Sequence, residues 1–146
     1  MDNTGPRRPP GGAQHIAPQE AAAPVPRIPP PDTAGYALGM ALALRGWRYR
    51  IVNPPGEEYI QLRLPRGMRL HISGTSRDGR TAQLCHPTHE HASWQAWLTA
   101  RRTRSAPQSV YDSSDQSPAP FGGDTASLIT AVAALAVDLS RTRKGR

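Results

Sequence analysis

Three short runs between Trp47 and Ile72 alternate apolar and polar residues with period two. Trp47, Tyr49 and Ile51 alternate with Arg48 and Arg50; Ile60, Leu62 and Leu64 with Gln61 and Arg63; Met68, Leu70 and Ile72 with Arg69 and His71. Such alternation predicts half-buried strands with one oily face and one arginine-rich face. Pro65-Arg66-Gly67 suits a three-residue hairpin loop, with Pro at the first turn position and Gly at a left-handed one. That loop pairs Leu64 with Met68, Leu62 with Leu70 and Ile60 with Ile72, and sets Arg63 opposite Arg69 and Gln61 opposite His71. Asn53-Pro54-Pro55-Gly56 joins the first two runs, and pairing Tyr49 with Ile60 and Trp47 with Leu62 keeps apolar beside apolar. A slip of one residue would invert every side chain.

Helical periodicity flanks the strands. Asp32 or Thr33 can cap a helix over about residues 33–45. Tyr36, Met40 and Leu44 recur every fourth position there, with Leu38 and Leu42 widening the stripe. Gly39 weakens this helix or permits close packing, and Gly46 suits the position after its end. Beyond a turn at Gly74–Gly79, a fourth strand is predicted at about Arg80–His86, then a loop from Pro87 to Ala92. Ser93–Arg102 fits two patterns: Trp94, Trp97, Leu98 and Arg101 on a helix, or Trp94, Ala96, Leu98 and Ala100 on a strand. Residues 103–123 read as a long loose loop. A helix over 125–140 follows, with Asp124 as N-cap and Leu128, Ile129, Val132, Leu135, Ala136 and Leu139 on one face. The expected architecture is a single small α+β domain, residues 33–140. Its antiparallel sheet has four to five strands, with helices packed on one face. Residues 1–32 form a disordered Pro-rich tail and 141–146 a basic tail.

Charge sharpens this picture. The chain of 146 residues carries a net charge of +7. Residues 33–104 hold eleven arginines against four acids, while both flanking segments balance to zero, so the excess lies on the expected domain. A basic domain points to an anionic partner: nucleic acid, an acidic protein or a phospholipid surface. Seventeen of the eighteen basic residues are Arg, beside abundant Ala, Pro and Gly. This matches a high-GC genome and so lowers the weight of arginine number alone. One cysteine excludes an internal disulfide framework and fits a reducing cytoplasm. No apolar run of the length of a membrane span stands out, nor an apolar leader at the start, so neither a membrane nor a secretory route is expected. Pro26-Arg27-Ile28-Pro29 has PxxP spacing, which a Pro-rich tail produces readily by chance.

Cys85, His86, His89 and His91 crowd seven residues, and thiolate with imidazole is a zinc donor set. Strand neighbours 85 and 86 would point to opposite faces, however, and no second donor pair exists elsewhere. A solvated polar loop is the default, and no cofactor is expected. Cys85 with a histidine lacks an orienting acid and an oxyanion hole, so an enzyme is not expected.

The order Asp78-Gly79-Arg80, an apolar strand, Pro87, Trp94, Phe121-Gly122 and a Thr-led Ala-rich helix resembles a domain of unknown function common in streptomycete proteins. The likeness covers roughly residues 75–140. Where that family has Thr-Pro-x-Glu at the helix start, this chain has Asp124-Thr125-Ala126-Ser127. The resemblance implies a small α+β fold, an actinobacterial source and a strand at 93–102; it supplies no activity. The succession of helix, three strands and helix is similar to double-stranded-RNA-binding domains in order only, since a fourth strand and the long loop depart from it.

The leading expectation is a non-enzymatic accessory or regulatory protein binding DNA or RNA through the arginine face. Arg48, Arg50, Arg63, Arg69 and His71 would contact the strand, with Tyr59 and Trp97 as stacking platforms. The alternative is an interaction module docking an acidic protein or a second copy of itself. A small metal-binding or enzymatic domain comes third.

Overall fold

A computed structural model describes residues 29–100, 106–115 and 120–144, with side chains as far as Arg141. Helix α1 spans Ala34–Leu44 and helix α2 Phe121–Lys144. Between them run β1 Tyr49–Val52, β2 Tyr59–Leu64, β3 Met68–Ser76, β4 His91–Ala100 and β5 Gln108–Asp112. The strands form one antiparallel meander in the order β1-β2-β3-β4-β5. Both helices lie against its oily face, over a core that includes Leu38, Leu42, Ile60, Leu62, Leu70, Ile72, Trp94, Leu98, Leu128 and Val132. The α+β class and the one-sided helical layer follow the hydrophobic pattern.

The β2–β3 hairpin has the expected register, with Leu64 opposite Met68 and Arg63 opposite Arg69. Arg66 and Gly67 both take left-handed φ in its turn. The β1–β2 register differs by two residues from the expected one: Tyr49 faces Leu62 and Ile51 faces Ile60. The cause lies at the end of α1. Gly46 takes φ +79; its N–H donates to Ala43 O at 2.9 Å, and the Trp47 N–H donates to Leu42 O at 3.1 Å. This pair of bonds is a Schellman cap. It ties Trp47 to the helix, so β1 starts at Tyr49. At the other end, the Glu57 N–H closes a turn on Pro54 O and the Glu58 N–H reaches Ala82 O, so β1 and β2 separate beyond Val52 and Tyr59.

Thr33 is the N-cap of α1, its Oγ1 accepting from the Tyr36 N–H. Pro29 is buried, and Pro30 O accepts from the backbone N–H and the hydroxyl of Thr33. Residues 29–32 therefore belong to the fold rather than to the tail; residues 1–28, with most of the PxxP segment, lie outside the described residues. The buried face of α1 is Ala34, Gly35, Leu38, Gly39 and Leu42. Met40 is 48% and Leu44 83% exposed, contrary to the expected stripe. Glycine decides the docking. A Cβ on Gly35 would sit 2.6 Å from Leu84 Cβ, and one on Gly39 would meet the Tyr49 hydroxyl. The helix approaches through its smallest residues, and the Met40–Leu44 row is turned outward.

The expected fourth strand at 80–86 does not form. Gln83 makes a single bridge with Gly74, and Ala82 takes a left-handed φ that interrupts extension. Leu84 O and His86 O accept instead from Gly35 N and Ala34 N, so the segment anchors the start of α1. Residues 91–100 are the strand beside β3, which settles the ambiguous segment. The expected loop at 103–123 contains β5 and the start of α2; residues 103–105 and 116–119 lie outside the described set. Helix α2 begins at Phe121, so Asp124 stands within its first turn and is not its N-cap. The helix continues to Lys144, through most of the expected basic tail.

By length and composition, Phe121–Arg141 is apolar enough to cross a membrane, although Thr, Ser, Gly and Asp punctuate it and break any continuous apolar run. Its Leu128, Ile129 and Val132 are buried in the core, while Val137 is half exposed.

Candidate nucleic-acid interface

Among the described residues, no helix covers the arginine-bearing face of the sheet. Strand pairing arranges that face in rows. Arg50 lies opposite Gln61, Gln61 opposite His71 and His71 opposite Trp97, so one row crosses four strands. Beside it, Arg63 faces Arg69 and Arg69 faces Thr99. Successive outward rows stand about 6.7 Å apart along the strands. An aromatic strip and a cationic strip therefore run side by side.

The two residues expected to stack, Tyr59 and Trp97, form one cluster with His71. The His71 and Trp97 rings stack at 5.6 Å with an interplanar angle of 14°. Tyr59 meets Trp97 edge-on at 5.0 Å and His71 at 6.3 Å. Burial, and then the charge of Arg69, lower the His71 pKa, so the ring is a neutral platform; one of its nitrogens lies 3.3 Å from Thr99 Oγ1. The Tyr59 hydroxyl donates to Glu57 Oε1; burial and that bond push its pKa to about 12. The phenol therefore adds no negative charge.

Four arginines lie on or beside this face. Arg50 Nε donates to Gln61 Oε1 at 3.0 Å, which orients its guanidinium over the row. Arg48, Arg50 and Arg63 are exposed and Arg69 is half-buried. Among the described residues, no carboxylate pairs with any of the four. The acids at the margins are engaged elsewhere, Glu57 with Tyr59 and Asp112 with Ser114. Arg48 precedes β1 and lies outside the paired rows. It joins Arg50 and Arg63 around a cavity of about 490 Å³ at the sheet edge.

The Cys/His cluster does not converge. Cys85 is exposed, its Sγ 3.3 Å from Glu58 Oε2, and His89 is exposed beside Glu90. His86 and His91 are buried and stacked on each other at 5.2 Å. No group of three metal donors forms among the described residues. The alternation of chain direction at 85–86 and the turn at Thr88–Glu90 separate the four side chains.

Two of these histidines instead enter a buried chain that the sequence reading missed. His86 Nε2 lies 2.9 Å from His91 Nδ1, and His91 Nε2 lies 2.8 Å from Asp124 Oδ2. Tyr111 and Ser113 also donate to the Asp124 carboxylate, at 2.6 and 3.0 Å. Burial alone would raise the Asp124 pKa, but the bonds from His91, Tyr111 and Ser113 outweigh it and hold the group below its usual range. The carboxylate accepts, so His91 carries its proton on Nε2. His86 Nδ1 is buried and has no hydrogen-bond partner among the described residues. Burial and the neighbouring His91 lower the His86 pKa to about 4. The chain joins β4 and β5 to α2 and is closed to solvent, a structural clamp. Only the pairing of Asp124 with a strand more than thirty residues away could have disclosed it, and no local pattern encodes that.

Comparison with protein-family models, with curated proteins and with solved structures finds no match to this chain.

Proposed function

We propose that the protein binds single-stranded nucleic acid across the open face of its sheet, without enzymatic turnover, as an accessory or regulatory factor. The observation that carries this reading is the Tyr59–His71–Trp97 cluster beside Arg63 and Arg69 on a face that, among the described residues, no helix covers and where no carboxylate pairs with those arginines. Bases stack on neutral ring faces, and guanidinium groups take the phosphates bidentately. The strand would run across the β-strands, phosphates on the arginine row and bases on the aromatic row. A duplex keeps its bases stacked inside and offers nothing to the rings.

Fluorescence anisotropy of a labelled oligonucleotide tests this. Single strands should bind more tightly than the matching duplex, and each phosphate contact should steepen the log–log salt slope by about 0.7. Equal binding to both, or no salt dependence, would remove the reading. A second reading, self-association through α1, draws on the exposed Met40 and Leu44. It predicts concentration-dependent mass in sedimentation with little response to salt.

A further inference from the structure

A notch opens at the edge of the sheet where β1 begins. Gly46 to Arg50 line one wall and Gln61 to Leu64 the other, around the cavity of about 490 Å³. The notch follows from the helix cap. Because the Trp47 N–H is held by Leu42 O, strand pairing stops at Tyr49 opposite Leu62, and Arg63 and Leu64 continue without a partner on that edge. Residue alternation then divides the lining. Arg48, Arg50 and Arg63 belong to the cationic side, and Trp47, Leu62 and Leu64 to the apolar side.

Three guanidinium groups around one cavity suit a concentrated charge. An internal phosphodiester carries one negative charge, whereas a terminal phosphate monoester carries about −1.5 to −2 at pH 7. Rigid guanidinium forks match its oxygens. The Arg50 fork is already fixed through Gln61. The volume falls within the range of small-ligand sites, about 300–1,000 Å³, and exceeds what a phosphate alone fills. The partly buried Trp47 and Leu64 supply an apolar wall for a planar base.

We infer that the notch binds a phosphorylated nucleotide, its phosphate held by Arg48, Arg50 and Arg63 and its base against Trp47, as the end of a strand that continues over the aromatic row. The inference rests on the nucleic-acid reading of the adjoining face, because Arg50 and Arg63 serve both. A free nucleoside monophosphate offers the same chemistry, and the test separates the two sources.

The test is competition against a labelled single strand, using the full chain. The competitors are the same strand with a 5′-phosphate, with a 3′-phosphate, with neither, the strand closed into a circle, and a nucleoside monophosphate. One end-phosphorylated strand should compete about tenfold better than the unphosphorylated strand or the circle, as expected for added charge-assisted hydrogen bonds. Trp47→Leu keeps the backbone cap and should reduce that preference while the circle binds as before. Arg48→Gln, at an exposed position, should bring the ratio of phosphorylated to unphosphorylated strand to one even if all binding weakens. Displacement by the monophosphate that Arg48→Gln abolishes would assign the notch to a free nucleotide. Equal competition by circle and phosphorylated ends, with no effect of the monophosphate, overturns the inference and leaves the face reading intact. If no strand binds, the face reading falls; the notch then stands only if the monophosphate binds directly and Arg48→Gln removes that binding.

Discussion

Strand β4 carries two tryptophans three residues apart, and each sits against histidine on an opposite face of the same sheet. Trp94 is fully buried, its ring 4.5 Å from His91 and 6.1 Å from Phe121, and its indole N–H donates to Thr125 Oγ1 at 2.9 Å. Trp97 is half-buried, stacked on His71 and touched edge-on by Tyr59, and its indole N–H has no hydrogen-bond partner among the described residues. Similar residues thus build two different objects. On the inner face α2 covers the cluster and accepts from Trp94 and His91. On the outer face, ring surface, an indole donor and guanidinium groups with no carboxylate partner among the described residues remain at least partly exposed. What separates a core from a candidate binding platform here is whether a helix covers the cluster.

Substituting each tryptophan is the largest test of that contrast. Trp94→Ala should cost about 3–5 kcal/mol through the cavity it opens in the core. Trp97→Ala should cost far less in a urea titration, yet weaken single-strand binding by about 1–3 kcal/mol for a lost stacking contact. Equal destabilisation by the two would place Trp97 in a core and abolish the contrast. Asp124→Ala extends the inner side of the comparison. It leaves the buried donors of His91, Tyr111 and Ser113 without their acceptor and should cost about 2–4 kcal/mol, while strand affinity measured on the folded fraction stays constant.

Acid should also act on the inner side first. The His86 pKa is about 4 in the folded protein, below its ordinary value of 6.5, so the unfolded chain binds the extra proton between those two pH values. This contribution to stability is fully present above about pH 6.5 and falls away as the pH drops toward 4, by on the order of 2–3 kcal/mol. His71 shifts in the same direction, and the lowered Asp124 adds further loss below the ordinary carboxylate range. Urea midpoints measured from about pH 7 to pH 4 check this; a flat profile would mean that the histidine chain is solvated.

Much of the outer face could be read from the chain, because alternation with period two assigns a face residue by residue. Tyr59 and His71 face outward by parity, and Trp97 does so once 93–102 is a strand; the pairing of β4 with β3 that sets Trp97 opposite His71 was not legible. The β1 register was not legible, because the bond from Trp47 N–H to Leu42 O is a helix-capping choice that leaves apolar still facing apolar after a shift of two. The exposure of Met40 and Leu44 was hidden for a related reason: Gly35 and Gly39 permit an approach that hydrophobicity alone does not favour. The strand misplaced at 80–86 shows the same limit. Its backbone groups bond to the start of α1, and a single left-handed residue, Ala82, ends the extension.

The smallest expected effect concerns the pair at the centre of the cationic row. Arg63 and Arg69 are directly opposed on β2 and β3, and among the described residues no acid pairs with either. Opposed like charges destabilise a strand pair by a few tenths to about 1 kcal/mol. Arg63→Thr or Arg69→Thr should therefore leave the urea midpoint unchanged or slightly raised at low salt, and the difference should fade as salt screens the repulsion. On the binding side each substitution removes one phosphate contact, weakening single strands severalfold and reducing the salt slope by about 0.7. The two readouts move in opposite directions only if the repulsion is tolerated for the sake of an anion that sits between the two guanidinium groups. Loss of stability on substitution would show instead that the half-buried Arg69 or the exposed Arg63 packs as a structural side chain. Unchanged stability with unchanged affinity would keep the sheet as drawn and move the nucleic acid off it.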